Sequence, residues 1–89
     1  MRSKCNRRFW DAFHSFPPHI KRLVRAKYAL WKKDPFHPSF KFQEIQPGIW
    51  RIRLGDHYRA LARRERDLMV WFWIGTHEDY NKLRQLKKT

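Results

Sequence analysis

The spacing of apolar residues along the chain predicts two helices in its first half. Four aromatic residues recur at intervals of three and four, as on one face of an α-helix: Phe9, Trp10, Phe13 and Phe16. Pro17 and Pro18 end this helix because proline has no amide hydrogen to donate. Pro18 also suits the first turn of a following helix, where that donor is not needed.

The second helix is predicted to run from residue 18 to about residue 33. Its apolar residues form one stripe: Ile20, Leu23, Val24, Tyr28, Leu30 and Trp31. Asp34 and Pro35 end the helix, and Pro38 keeps the link that follows it extended. Two helices joined by a tight proline turn predict an antiparallel helical hairpin.

The second half of the chain alternates between apolar and polar residues, which is the period of β-strands. Four strands are predicted, at about 40–43, 50–54, 57–62 and 68–74, with turns at 47–48 and 55–56 and a charged loop at 64–67. Connections this short join antiparallel neighbours. The strand at 68–74 is apolar throughout, as expected of a central strand covered on both faces. A short basic helix is predicted at about 78–87.

These elements predict an α+β fold in which the helical hairpin packs on one face of a four-stranded antiparallel sheet, followed by a short C-terminal helix. We expect one domain over residues 1–89, in which residues 1–6 are a basic lead-in that frays or adds an edge strand. Alternation places Arg51 and Arg53 opposite the apolar residues of their strand, and Arg59 opposite Tyr58 and Ala60. The helices should cover the apolar face, which leaves the three arginines on an open face.

The net charge of the chain limits the kinds of partner that we expect it to bind. The chain carries 21 Lys and Arg against 8 Asp and Glu, so its formal net charge is +13. Such a charge attracts nucleic acid, an acidic protein or an anionic membrane surface. The alternative is that the charges only solubilise an aromatic-rich chain. No apolar segment is long enough to cross a membrane, no secretory signal is evident, and a lone Cys5 excludes an internal disulfide. We therefore expect a soluble, intracellular protein.

Histidine and arginine are the residue types that remain as candidates for a functional site. Only three glycines are present, with no phosphate-loop spacing, and no metal-binding motif is found. His77 directly follows the last strand, beside Gly75, where an imidazole could act as acid or base. The alternative is a histidine at a helix terminus or on the surface. His57, at a turn, and His37, in an extended link, are weaker candidates.

Aromatic residues near the end of the chain allow two interpretations. Strict alternation puts Trp71 and Trp73 on one face of the last strand, where they stack on bases or pack in the core. Tyr80 packs back on the sheet or covers the site.

Several segments, in this order, resemble the RelE/ParE toxin superfamily of bacterial type II toxin–antitoxin modules. They are the helical hairpin, DPFHPS at 34–39, IWRIRL at 49–54, YRAL at 58–61 and WFWIGTHEDY at 71–80. The resemblance spans about residues 9–86. The first edge strand usual in that superfamily is not evident in the pattern, and residues 1–6 are the one place for it.

The resemblance implies a cytoplasmic toxin held inactive by a cognate antitoxin, which we expect to be acidic and partly helical. RelE-like members cleave mRNA on the ribosome without metal or cofactor, by attack of a ribose 2′-hydroxyl on its own 3′ phosphate. By position, Arg59 matches the phosphate or transition-state binder, and His77 matches the general acid to the leaving 5′ oxygen. Tyr80 matches an aromatic that stacks on or positions a base.

Other positions of the family pattern are matched less completely. Lys41, Arg51 and Arg53 resemble basic residues that bind RNA phosphates, and His37 resembles a histidine of some members. The general base is unassigned, with His37 and His57 as options. Because ParE-like relatives share the fold without RNase activity and poison DNA gyrase, that function is the first alternative. A basic RNA-binding domain without toxicity is the second.

Overall fold

The computed structural model describes residues 1–86, and within them it contains five strands and three α-helices. In chain order these are β1 (Arg2–Cys5), α1 (Arg7–His14), α2 (Pro18–Lys33), β2 (Gln43–Gln46), β3 (Ile49–Leu54), β4 (Tyr58–Glu65), β5 (Leu68–Thr76) and α3 (His77–Leu86). A 3₁₀ turn at Pro38–Phe40 lies between α2 and β2. The predicted end of the last helix, Lys87, lies outside the described residues.

The sheet is mixed, which corrects the prediction of four antiparallel strands. Its order is β1-β5-β4-β3-β2. Strands β2 to β5 form the predicted antiparallel meander, but β1 pairs in parallel with β5. The basic lead-in is therefore an edge strand. Four residues carry too little alternation to reveal a strand, and this one depends on backbone pairing with a segment more than sixty positions away.

The first predicted strand of the meander, at 40–43, begins later than expected. Phe40 closes the 3₁₀ turn and is fully buried, and Lys41 has a φ of 44°. A left-handed residue cannot continue an extended strand. Strand β2 therefore starts at Gln43, and the aromatic side chain fills the core from the turn.

The helical layer packs on one face of the sheet, as predicted. Asn6 caps α1 by accepting a hydrogen bond from the Phe9 amide at 3.0 Å. Trp31 of α2 is completely buried, and its ring meets that of Trp71 edge-on, with centroids 5.2 Å apart. The core between helices and sheet is built from these and similar side chains: Phe9, Phe13, Val24, Trp31, Phe40, Ile52, Leu54, Ala60, Ala62, Met69, Trp71 and Ile74.

A β-bulge in β5 separates two tryptophans that strict alternation places together. Leu61 pairs with Trp73, but the next residue, Ala62, pairs with Trp71, so Phe72 is the extra residue. Trp71 consequently points into the helical core, whereas Trp73 lies on the opposite face. The expectation that both share one face is wrong, because one inserted residue reverses the side on which all later side chains of the strand lie.

The face opposite the helical layer is not fully open, which corrects a second expectation. Helix α3 packs on it through Tyr80, which is 4% exposed and whose ring centroid lies 6.4 Å from that of Trp73. Leu61, on the same face, is 7% exposed. Of the two interpretations of Tyr80, the structure has it packed back on the sheet. The arginines of this face stay partly exposed.

Candidate functional site

Strand pairing gathers the predicted arginines at one end of the sheet. Arg53 of β3 pairs with Arg59 of β4, which in turn pairs with Gly75 of β5. Directly paired residues of antiparallel strands point to the same face. In the neighbouring row, Arg51 pairs with Leu61. The three arginines therefore share the face that α3 partly covers, close to the point where β5 ends and α3 begins.

The turn between β3 and β4 holds the Arg59 side chain in place. Its Nη1 donates to three backbone carbonyl oxygens: those of Tyr58 at 2.8 Å, Asp56 at 3.3 Å and Gly55 at 3.4 Å. Gly55 adopts a φ of 69°, which glycine reaches without steric cost. The guanidinium is thus anchored through one nitrogen, and its other N–H groups are left for an anion.

The electrostatic surroundings of Arg59 are those of a crowded cationic site. Partial burial lowers the pKa of the Arg59 guanidinium from its ordinary value, and the charges of Arg53 and Arg51 lower it further. Asp56 and Tyr80 act in the opposite direction. Arginine stays protonated in proteins despite such shifts. A bound phosphate would relieve the mutual repulsion of the guanidiniums.

The other two arginines are tied to different parts of the chain. Arg53 donates from Nε to the Gly55 carbonyl at 3.2 Å and from Nη2 to the Asp56 carboxylate. Arg51 donates from Nη2 to Gln43 Oε1 at 3.0 Å and to the Lys41 carbonyl at 3.3 Å. Arg51 and the exposed Lys41 therefore lie together at the β2 side of the sheet.

His77 is the first residue of α3, and its backbone is fixed to the end of the sheet. Its amide donates to the His57 carbonyl at 2.8 Å. Thr76 caps the helix by accepting from the Asp79 amide at 3.1 Å. Since His77 comes two positions after Gly75, the partner of Arg59, its backbone begins beside the arginine row.

Tyr80 is less accessible than a stacking role requires. Its ring lies between Trp73 and the Arg84 guanidinium, which is 5.8 Å from the ring centroid. Among the described residues, its buried hydroxyl has no hydrogen-bond partner. Beside it, a groove of about 280 Å³ runs across this face, with Phe72, Trp73 and Leu83 in its wall.

The two candidate bases, His37 and His57, lie in the connections between elements. The His37 ring accepts from the Ser39 amide at 3.2 Å through Nδ1, so it caps the 3₁₀ turn. His57 is exposed at the β3–β4 turn. No hydrogen bond within residues 1–86 joins either imidazole to Arg59 or His77.

Sequence reasoning missed the part played by the β3–β4 turn. The sequence pattern identifies Gly55 and Asp56 only as a turn, whereas in the structure they supply the carbonyls and the carboxylate that hold two arginines. The available signal was an acidic residue three positions after one predicted phosphate ligand, Arg53, and three positions before another, Arg59.

Neither a metal-binding cluster nor a membrane-spanning helix is found among the described residues. Residues 1–86 hold no group of three or more His, Cys, Asp or Glu side chains arranged to bind a metal ion. Among the helices of the same residues, none is long and apolar enough to span a membrane.

Comparison with known proteins decides the family. A family model described as a ParE-like toxin domain matches residues 19–82, which is more than half of the chain. The chain belongs to this family of toxins. It is a toxin of the RelE/ParE superfamily, as the motifs indicated, and an antitoxin is the partner that such a toxin implies.

The fold of this toxin is similar to that of a solved relative. Compared with the crystal structure of the isolated E. coli RelE toxin, the TM-score is 0.63 at 11% sequence identity, over 96% of this chain and 97% of that one. At so low an identity the likeness concerns the fold. A search of curated protein sequences gives no significant match.

Proposed function

We propose that this toxin is a metal-independent endoribonuclease that cleaves mRNA on the ribosome in the cytoplasm and so inhibits translation. The observation that carries the proposal is the row of Arg53 and Arg59 on the partly exposed face, with Arg59 anchored by turn carbonyls beside the strand end that leads to His77. A fixed guanidinium binds a phosphate with little loss of side-chain entropy. An arginine can stabilise the charge that develops on a phosphate, and a histidine can donate a proton to a leaving oxygen.

In the proposed reaction the ribose 2′-hydroxyl attacks the adjacent phosphorus and loses its proton to solvent water, and the bond to the 5′-oxygen of the next nucleotide breaks. Arg59 stabilises the negative charge that develops on the phosphate oxygens in the transition state. His77 donates a proton to the departing 5′-oxygen. The products are a 2′,3′-cyclic phosphate and a free 5′-hydroxyl. Arg51, Arg53 and Lys41 bind neighbouring backbone phosphates, and the buried Tyr80 holds α3, which begins with His77, against the sheet.

The test is cleavage mapping by primer extension on a reporter mRNA after induction of the toxin. We expect His77→Ala and Arg59→Ala each to reduce cleavage by about 10²-fold or more, the usual effect of losing a general acid or a charge-stabilising group. His19→Ala and Arg22→Ala are matched controls, because both residues are exposed on α2, on the opposite side of the sheet. Full cleavage and growth arrest in both site variants would contradict the proposal.

Poisoning of DNA gyrase without catalysis is the second candidate function. It is favoured by one observation, that the structure assigns no general base among the described residues: the His37 ring caps the 3₁₀ turn, and His57 is exposed at the β3–β4 turn. In that case induction damages DNA, gyrase co-purifies with the toxin, and no RNA is cut. Harmless expression without an antitoxin would instead favour an RNA-binding domain that has lost toxicity.

A further inference from the structure

The paired arginines of the site repel each other because both side chains are positively charged. Arg53 and Arg59 are direct cross-strand partners, so their Cβ atoms are about 5 Å apart on one face. Two cations in that relation destabilise a sheet. Arg51 adds a third charge nearby. Partial burial is the largest cause of the lowered pKa of Arg59, and the charges of Arg53 and Arg51 lower that pKa further. The structure must therefore supply compensating negative charge.

The β3–β4 turn supplies this negative charge unequally to Arg53 and Arg59. The Gly55 carbonyl accepts from Arg53 Nε at 3.2 Å and from Arg59 Nη1 at 3.4 Å, so both guanidiniums share it. Every hydrogen bond made by the Arg59 side chain within the described residues goes to a backbone carbonyl. Arg53 alone also binds a carboxylate, that of Asp56.

The Asp56 carboxylate occupies Arg53 in the way a ligand oxyanion would. Carboxylate and phosphate oxygens bind guanidinium N–H groups with the same geometry and for the same reason. The Asp56 side chain is 79% exposed, whereas that of Arg53 is 31% exposed. An exposed pair on one turn is weak, so the carboxylate can leave without disturbing the fold.

We propose that Asp56 is an internal competitor for phosphate: its carboxylate neutralises Arg53 in the free toxin and must leave when the backbone of a nucleic acid binds. Asp56 thereby limits the affinity of the site for RNA. This inference rests on the proposed function, since it names a residue that tunes ligand binding at the same site.

Asp56 as a competitor for phosphate and Asp56 as a residue that merely holds the turn predict different effects of substituting its side chain. Arg59 is held by carbonyls of the turn, which a change of the Asp56 side chain leaves in place. The positive φ of the turn belongs to Gly55, so Asp56 is not needed for that backbone conformation. In Asp56→Asn the volume is kept and the charge is lost, which isolates the competition.

The chain offers a matched control in Asp67. Its carboxylate is also exposed, at 73%, and also pairs with an arginine, Arg2, at 3.6 Å, but near the opposite end of the sheet. Asp67→Asn changes the net charge by the same amount as Asp56→Asn. Any general gain in attraction for polyanions is therefore common to both variants.

The experiment measures binding of a short fluorescent single-stranded RNA whose 2′-oxygens are methylated, so that it cannot be cleaved by 2′-attack. We expect Asp56→Asn to bind about 3- to 10-fold more tightly than Asp67→Asn at low salt. The slope of log affinity against log salt should steepen by about 0.7, the value for one further phosphate contact to a single strand. In an Arg53→Gln background, Asp56→Asn should give no gain over Asp67→Asn.

Three outcomes would overturn the inference: equal affinity of the two Asn variants, weaker binding by Asp56→Asn than by the wild type, or a gain that persists without Arg53. Wild-type toxin that fails to bind the RNA also overturns the inference, whereas the endoribonuclease proposal, which concerns mRNA on the ribosome, is tested by the cleavage mapping. The two proposals therefore fail separately. Loss of mRNA cleavage with the Asp56 effect intact rejects the enzyme alone, and normal cleavage with no Asp56 effect rejects the competitor alone.

Discussion

Gly75 lies directly against the indole ring of Trp73. A Cβ atom at this position would lie 2.7 Å from Trp73 Cζ2 and 2.9 Å from Cη2. The absence of a side chain at Gly75 therefore permits a close approach. The approaching group is a neighbouring side chain of the same strand, two residues earlier.

We expect Gly75→Ala to destabilise the protein by about 1–3 kcal/mol, because the added methyl pushes the Trp73 ring away from Tyr80. Urea unfolding of Gly75→Ala checks this. The double variant Trp73→Leu with Gly75→Ala, compared with Trp73→Leu alone, should show a much smaller cost. An equal cost in both backgrounds would mean that the clash with the indole is not the cause.

At the scale of the element, α1 is positioned by its first turn. The helix has eight residues, too few for stability in isolation. It begins directly after β1, where the Asn6 amide donates to the Trp71 carbonyl at 2.9 Å while its side chain caps the helix. One residue thus joins the edge of the sheet to the start of the helix, and Phe9 and Phe13 then reach the core.

Asn6→Ala should lower the free energy of unfolding by about 1 kcal/mol, since the Phe9 amide loses its acceptor. Denaturant titration measures the difference. Asn81→Ala is the control, because Asn81 is exposed within α3 and should change stability little. A cost in Asn6→Ala no greater than that of the control would show that the cap contributes nothing.

The strands also differ in how well their sequence pattern predicts the face on which each side chain lies. The bulge in β5 is invisible in an apolar run, because every position of that run suits either face. The alternating pattern of β3, by contrast, assigns Arg51 and Arg53 to one face without ambiguity.

At the scale of the whole molecule, excess positive charge covers both sides of the fold. Helix α2 carries six Lys and Arg and no Asp or Glu along its sixteen residues. The arginine row lies on the other side of the sheet. A partner that neutralises this toxin completely has to supply negative charge over an extended surface.

We therefore expect the antitoxin to be acidic and partly helical, and to be encoded beside the toxin gene. Co-expression of the two genes should yield a complex at low salt whose affinity falls steeply as salt rises, since screening weakens contacts between exposed charges. Pull-down on the tagged toxin at increasing salt measures this. Toxin that emerges alone from co-expression, or a complex indifferent to salt, would contradict the expectation.

The sequence by itself determined which side chains share a face wherever apolar and polar residues alternate, but not in the uniformly apolar strand β5. Periods of 3.6 and 2 residues are local properties, so the two amphipathic helices, the antiparallel meander and the common face of Arg51, Arg53 and Arg59 followed from the pattern. Only the tertiary structure decided the parallel pairing of β1, the burial of Tyr80 between α3 and the sheet, and the bond between Arg53 and Asp56. The first depends on a segment more than sixty positions away, the second on how α3 folds back over β5, and the third on how the β3–β4 turn folds. Their energies come from contacts that local periodicity does not encode.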